Sequence, residues 1–424
     1  MKLSIEQIQK NLYELFKNGE YNDAEKLALS TTKEYPDFQF AWKVLASLYI
    51  QKGRFNESVN ASNKSILLIP KDSEAHNNLA LALNKLSRFE EAEASFKLSI
   101  KLNPNFFIAH FNYGFFLQNR GKLDESTAIY KIATGLNPES IESFINLGNV
   151  FRSLGRFEES EVSYKKALAI DPNYILTHFC LGLLFYDLGR LEEAEVSYKN
   201  IIMLNPESFE ALNNLGNVLL KLNKLEEAEA SFRKAIELNP NLAEPYCNLG
   251  QTYQAKGLIQ EAIKFYITAI DINPNFSQAL VNFSIALEGV RFSKPNKHIS
   301  RIILLLLESK TYVRPSDVVR PSISLLKNEP AMQILLKKKN KKNIKLFLKE
   351  TISLIYELPL FLKLMSICPL NDIDCEFFLK NIRQIILLSI DDIAGNQELL
   401  DFQSKLAFQC FINEYIYEQT IDEV

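Results

Sequence analysis

Apolar residues recur along the first two thirds of the chain with the spacing of amphipathic helices. In the stretch 141–174, the first apolar set falls three or four residues apart, at Phe144, Leu147, Val150, Phe151 and Leu154. A turn signal follows at Gly155-Arg156, and a second apolar segment runs from Phe157 to Ile170. Side chains spaced in this way share one face of a helix, so the stretch predicts two helices joined by a tight turn. Asp171-Pro172 ends the second helix, because the residue before a proline is disfavoured in the helical conformation.

This helix pair recurs with a period of 34 residues. Prolines mark each period, at Pro36, Pro70, Pro104, Pro138, Pro172, Pro206, Pro240 and Pro274. Three further columns keep the same phase: a glycine on the first helix, a small residue on the second helix and an aromatic residue four positions after it. Gly148, Ser160 and Tyr164 show them within one period. A single helix pair cannot bury its apolar face alone, so stacked neighbours are expected to supply the core.

The repeated pattern N-L-G…G-[RK]-[FL]-x-E-[AS]…[FY]-x-x-[AS]…[ND]-P resembles the tetratricopeptide repeat, whose period is also 34. The resemblance implies an all-α fold, a right-handed superhelix of stacked helix pairs (an α-solenoid). We place eight repeats at 5–38, 39–72, 73–106, 107–140, 141–174, 175–208, 209–242 and 243–276. The first two depart most from the pattern, since Leu12 and Ala46 replace the glycine, as divergent terminal units often do.

Periodicity stops near Gly289, which divides the predicted chain into a repeat domain, 1–289, and a C-terminal region. Residues 277–289 are expected to form a capping half-repeat, and 290–300, with Pro295 and mixed charge, a linker. The region 301–424 is predicted to be a smaller helical domain. Its apolar spacing predicts helices near 299–310, 317–327, 343–356, 373–389 and 397–418.

Asparagine recurs at a position of the first helix that helical geometry places opposite the side that faces the stack. The sixth and ninth positions supply the predicted peptide-binding residues Asn78, Asn112, Asn146, Asn149, Asn214, Asn217, Asn248 and Asn282. Asparagine is a poor residue for a helix interior, so its recurrence needs an explanation. An amide both donates and accepts hydrogen bonds, and an exposed column of amides could therefore hold the backbone of an extended peptide.

The asparagine column is similar to the one on the inner face of O-GlcNAc-transferase-type repeats, which hold extended polypeptide. The resemblance implies a peptide-binding groove, with the edge made acidic by residues such as Glu74 and Glu142 favouring a basic or neutral peptide. The other reading is that N-L-G was inherited by copying one ancestral unit. The column is interrupted at Cys180, and Phe115, Cys180 and Leu183 predict an apolar stretch in the middle of the groove.

Other candidate sites are better explained as structure. His76, His110 and His178 share the fourth position of their repeats, which faces the stack, so we interpret them as packed core residues and expect no metal site. The basic run 337–342 resembles a localisation or phosphate-binding patch, but a solvated turn between helices explains it better. Asp372, Asp374 and Cys375 fit a helix N-terminus.

Composition excludes several classes of protein. The net charge of −3 argues against nucleic-acid binding through bulk positive charge. The longest apolar run, 302–307, is too short to insert across a membrane. The five cysteines are odd in number and form no C-x-x-C, and the first ten residues have no apolar run typical of a secretory signal. A cytoplasmic protein is therefore expected.

The stretch 406–417 resembles a helical segment that precedes a methyltransferase domain in some bacterial repeat proteins. The chain itself has no G-x-G-x-x-G, P-loop, G-x-S-x-G or H-E-x-x-H motif, so neither catalysis nor a cofactor is expected. We predict a non-catalytic adaptor that binds other proteins or peptides. Two alternatives stay open: the targeting half of a methyltransferase or glycosyltransferase encoded elsewhere, and a solenoid that self-associates through its terminal faces.

Overall fold

A computed structural model describes residues 4–309, 313–337, 344–370, 372–387 and 397–412. Over these ranges the protein forms 24 α-helices and no strand, which confirms the predicted all-α solenoid class. The helices of the repeats are α1 Ile5–Lys17, α2 Tyr21–Glu34, α3 Gln39–Gln51, α4 Phe55–Leu68, α5 Ser73–Lys85, α6 Phe89–Leu102, α7 Phe107–Asn119, α8 Leu123–Leu136, α9 Ile141–Ser153, α10 Phe157–Ile170, α11 Ile175–Asp187, α12 Leu191–Leu204, α13 Phe209–Lys221, α14 Leu225–Leu238, α15 Ala243–Ala255, α16 Ile259–Ile272 and α17 Ser277–Ala286.

Seven more helices follow the repeats. They are α18 Lys297–Glu308, α19 Pro315–Leu326, α20 Pro330–Lys337, α21 Ile344–Tyr356, α22 Pro359–Ile367, α23 Ile373–Leu387 and α24 Gln397–Ile412. The chain forms two compact units, Met1–Leu204 and Asn205–Val424. The first unit contains α1 to α12, and the second contains the remaining repeats and all the C-terminal helices. The domain boundary after residue 289 stays a prediction.

Within a repeat, the two helices approach so closely that there is no room for a side chain on the first one. A Cβ atom added to Gly148 would lie 2.5 Å from the ring of Tyr164. The same conflict occurs between Gly216 and Phe232, also at 2.5 Å. Ser160 lies beside this contact and donates a hydrogen bond of 2.8 Å to the carbonyl oxygen of Gly148. Glycine at this column is therefore required by the packing within these two repeats.

The turn between the two helices requires a residue with a positive φ angle. Gly155, with φ of +71°, provides it in one repeat. Ser87 and Asn223 occupy the same turn position in two other repeats, with φ of +60° and +58°. Side chains other than glycine rarely adopt this conformation. These two turns therefore depend on the packing of the helices that they join.

Consecutive repeats are joined by ion pairs that the sequence analysis did not identify. An acid on a second helix meets a basic residue in the following repeat, as in Glu161–Arg190 at 2.5 Å and Glu229–Lys256 at 2.6 Å. The guanidinium of Arg190 also lies 4.4 Å from the ring centroid of Phe185. Such pairs occur at several junctions, so they contribute to the stacking of the repeats as a network.

In the second unit, the last repeats and the C-terminal helices share one hydrophobic core. Tyr266 and Phe283 from the repeats belong to the same buried cluster as Phe361 and Phe402. The segment predicted as a linker is fixed to this core, because the backbone N–H of Phe292 donates to Ser324 Oγ at 3.1 Å and its carbonyl accepts from the side chain of Asn328 at 2.8 Å.

The C-terminal helices differ from the predicted set in two places. Helices α20 and α22 were not predicted, and each is short and begins at a proline. Asp372 accepts a hydrogen bond from the backbone of Cys375 at 3.1 Å, as expected for a helix N-terminus. Residues 338–342 of the basic run and 413–417 of the segment that resembles a methyltransferase-preceding helix lie outside the described residues.

We expect Gly148→Ala to lower the free energy of unfolding by about 1–3 kcal/mol, because the added methyl overlaps the Tyr164 ring. Gly135→Ala is the matched control, since Gly135 lies in helix α8 with no atom within 4 Å of an added Cβ. The control should be neutral or slightly stabilising. Urea unfolding of the two variants tests this, and equal stabilities would contradict the packing argument.

We expect acid to weaken the Glu229 ion pairs. Burial alone would raise the pKa of Glu229, but hydrogen bonds from Lys256, Tyr253 and Arg233 outweigh it and lower the pKa to about 2. A carboxylate whose pKa falls on folding stabilises the folded state above its ordinary pKa, and that stability is lost as the pH falls through the lowered value.

The urea midpoint of the unaltered protein should therefore drop more steeply than that of Glu229→Gln between about pH 4.5 and about pH 2. Glu227→Gln, which removes an exposed carboxylate of the same helix, should follow the unaltered protein. Parallel curves for all three proteins would show that the pairs do not contribute to stability.

Candidate functional site

The first helices of successive repeats lie next to one another in each unit. In the first unit α5 contacts α7, α7 contacts α9 and α9 contacts α11, and in the second unit α13 contacts α15 and α15 contacts α17. Their second, sixth and ninth positions therefore form one surface in each unit. We call it the first-helix surface. It contains all the asparagines predicted to bind a peptide.

The structure corrects the expectation that the asparagine column is exposed. In the second unit Asn248 and Asn282 are each 8% exposed. The amide of Asn248 donates to Asn213 Oδ1 of the preceding repeat at 3.1 Å, and that of Asn282 donates to Cys247 Sγ at 3.4 Å. These amides hold neighbouring first helices together, because a buried amide requires an internal partner.

The asparagine column also forms hydrogen bonds between neighbouring repeats in the first unit. The amide of Asn112 donates to Asn77 Oδ1 at 3.1 Å, and that of Asn78 donates to Ser47 Oγ at 2.9 Å. Asn146 lies beside the hydroxyl of Tyr130, which belongs to the preceding repeat. All three asparagines are half-buried. Their recurrence is therefore explained in part by contacts between repeats.

Asn149 is half-buried, and its oxygen already has partners. It accepts a hydrogen bond of 2.7 Å from the hydroxyl of Tyr164, and the Cys180 thiol lies 3.7 Å from the same oxygen. The amide nitrogen of Asn149 has no hydrogen bond to other described residues, so this end of the side chain can still donate to a ligand.

In the second unit, three amides have no partner among the described residues, and one of them lines a cavity. The side chains of Asn214, Asn217 and Gln251 are half-buried and form no hydrogen bond with any other described residue. Gln251 lines a cavity of about 390 Å³ together with Leu220, Gln254, Asn282 and Ile285. The cavity combines amide and aliphatic groups, as a site for a peptide backbone and one apolar side chain requires.

The predicted apolar stretch is only partly at the surface. Phe115 is 47% exposed and Leu183 is half-buried, whereas Cys180 is 7% exposed and cannot form much of a binding surface. Burial raises the pKa of the Cys180 thiol to about 11, so the thiol is neutral. Sequence reasoning missed two exposed apolar residues at the second position, Ile108 and Leu176. The available signal was that both repeats are apolar at a position where their neighbours carry glutamate.

The three histidines are structural, as expected. The Nε2 atoms of His76, His110 and His178 lie 3.0, 2.9 and 2.8 Å from the carbonyl oxygens of Pro70, Pro104 and Pro172. Trp42 occupies the same position in its repeat and donates to the carbonyl of Pro36 at 2.8 Å. A carbonyl can only accept, so each histidine donates from Nε2. Among the described residues no group of side chains has the arrangement of a metal site.

We expect buried and accessible amides to respond differently to substitution. Asn248→Ala should lower the free energy of unfolding by about 1–3 kcal/mol, because the Asn213 oxygen loses its buried donor. Asn217→Ala is the control and should change it by no more than about 0.5 kcal/mol. Chemical unfolding of both variants measures these changes. A larger loss of stability in Asn217→Ala than in Asn248→Ala would mean that Asn217, and not Asn248, is the structural amide.

Several known protein families and structures are similar to this chain. The TPR repeat model matches residues 148–189, 182–223 and 216–257, and tetratricopeptide repeat models match 41–72, 73–106, 95–128 and 243–276. Together they cover 41–128 and 148–276, more than half of the 424 residues. No curated protein matches the chain. The described helices include none long and apolar enough to cross a membrane.

Two solved structures are also similar to this chain. YrrB, a TPR protein with an unusual peptide-binding site, is 26% identical over 44% of this chain and 96% of its own, with a TM-score of 0.39. PilF of Pseudomonas aeruginosa is 19% identical over 51% of this chain and 97% of its own, with a TM-score of 0.44. Tetratricopeptide repeats bind other proteins or peptides and are generally non-catalytic. The chain belongs to the tetratricopeptide repeat family.

Proposed function

We propose that the protein is a non-catalytic scaffold whose first-helix surface binds an extended segment of another protein. The observation that supports this most directly is the pair of amides Asn217 on α13 and Gln251 on α15, which lie on the first-helix surface of the second unit and have no hydrogen-bond partner among the described residues. Gln251 also lines the cavity together with Ile285 on α17, which is 52% exposed.

Amides suit this task because an extended backbone presents both donors and acceptors. One amide side chain can accept from a peptide N–H and donate to a peptide carbonyl, independently of the peptide's side chains. Leu220 and Ile285, which line the same cavity, would take an apolar side chain of the bound segment. The buried asparagines Asn248 and Asn282 keep the helices that carry these groups in register.

The double variant Asn217→Ala/Gln251→Ala should bind peptides about tenfold more weakly, since it removes two hydrogen-bonding side chains worth about 0.5–1.5 kcal/mol each. The ligands for this test are selected from a library of random 15-residue peptides displayed on phage, with the full chain as bait. Fluorescence anisotropy then gives the affinity of each labelled peptide for each variant.

Gln260→Ala is the matched control, because Gln260 is an exposed amide on the second helix of the same repeat. It should bind the selected peptides with unchanged affinity. If every selected peptide binds the double variant with unchanged affinity, and its helical circular dichroism is intact, the amides of the second unit do not bind peptides and that part of the proposal is wrong.

A further inference from the structure

The first-helix surface of the first unit alternates between apolar and acidic groups, and this pattern suggests the chemistry of its partner. On α7, Ile108 is 50% exposed and Phe115 47%. On α11, Leu176 is 51% exposed and Leu183 half-buried. Between them, α9 presents Glu142 and Asn149 at the same two positions. At these two positions, three neighbouring helices thus present apolar, polar and again apolar side chains.

Helix geometry places these groups at regular intervals. Residues seven apart, such as Ile108 and Phe115, lie on the same side of a helix and about 10.5 Å apart along its axis. Helix α9 contacts both α7 and α11, and the axes of packed helices lie about 8–10 Å apart. A ligand that crosses the three helices therefore contacts an apolar group, then an acidic group and then a second apolar group, each about 8–10 Å from the one before.

Glu142 is the accessible charge on this path. Its side chain is exposed and has no ion-pair partner in the part of the chain that the structure describes. Glu74, at the same position two repeats earlier, differs because Lys43 binds its carboxylate at 2.6 Å. Arg152 on α9 does not offset Glu142, since its guanidinium is paired with Asp187 of α11 at 2.5 Å.

We infer that this surface binds a polyproline-II-like segment with the pattern aliphatic–x–x–basic–x–x–aliphatic. The inference rests on the proposed function and specifies the partner for the first unit. A polyproline II helix has three residues per turn and rises 3.1 Å per residue, so every third side chain faces the same way at intervals of about 9.3 Å. That interval matches the helix spacing. In a β-strand, residues three apart point to opposite faces.

The test uses the full chain and the displayed 15-residue library, with Glu142→Gln as the informative variant. Glu158→Gln is its matched control, because Glu158 is an exposed acid on the second helix of the same repeat. Among the peptides selected by the unaltered protein and by the control, those that lose affinity for Ile108→Ser should carry lysine or arginine three residues from an aliphatic residue on both sides. Peptides selected by Glu142→Gln should retain the two aliphatic residues but show no preference for a basic residue between them.

A synthetic proline-rich peptide of nine residues, with leucine at positions 2 and 8 and lysine at position 5, measures the charge preference directly. The unaltered protein should bind it about three- to fivefold more tightly than its Lys→Glu analogue, as expected for an exposed ion pair. Added salt should reduce the difference. Glu142→Gln should bind the two peptides equally, and Ile108→Ser should weaken both.

Two results would overturn this inference and leave the proposed function intact. One is a set of peptides that lose affinity for Ile108→Ser but show no basic residue at this spacing. The other is a basic preference that Glu142→Gln retains. Aliphatic and basic residues seven apart would indicate a helical partner and would also overturn it. If no selected peptide responds to any first-helix substitution, the proposed function fails as well.

Discussion

In the five repeats from 107 to 276, the structure depends on the contact between an aromatic ring on the second helix and the bare backbone of a glycine on the first helix. Where Tyr164 meets Gly148, even a methyl group would be too close. This contact sets the distance between the two helices of a repeat. Because it recurs every 34 residues, it also sets the position of each first helix relative to the next within a unit. The spacing of groups on the first-helix surface follows from it.

The asparagines show how one residue type meets two requirements in a repeat protein. Amides that lie between first helices, such as Asn112 and Asn248, are satisfied by the preceding repeat. Amides at the next accessible position, such as Asn217, have no partner among the described residues. The first group stabilises the scaffold and the second is available for a ligand. Copying of one ancestral unit and selection for binding are therefore compatible explanations of the same column.

Much of the repeat region could be predicted from the sequence, because local periodicity determines it. The proline, glycine and aromatic columns predicted two helices per 34 residues, and the structure contains them. The side-chain burial of Asn248 and Asn282 was not predictable in the same way, since helical phase identifies a face but not how closely the next helix covers it. The ion pair Glu161–Arg190 joins residues 29 apart, for which no local pattern exists.

The C-terminal region was harder to predict because its helices do not repeat. Helix α22 has only nine residues and begins at a proline, so its apolar pattern was too short to distinguish from a loop. Its burial depends on helices distant in sequence, as in the contact of Gln409 with the carbonyl of Met365 at 2.7 Å. No local sequence pattern predicts such contacts.

Site-specific photocrosslinking tests the central claim, that partners bind the first helices, most directly. A photoreactive phenylalanine analogue placed at Phe115 would report on the first-helix surface. The same group at Val162, which is 54% exposed on the second helix α10, would report on the opposite helix layer. With a peptide selected for binding to the first unit, we predict crosslinks from position 115 and none from position 162. Crosslinks from position 162 alone would contradict the account.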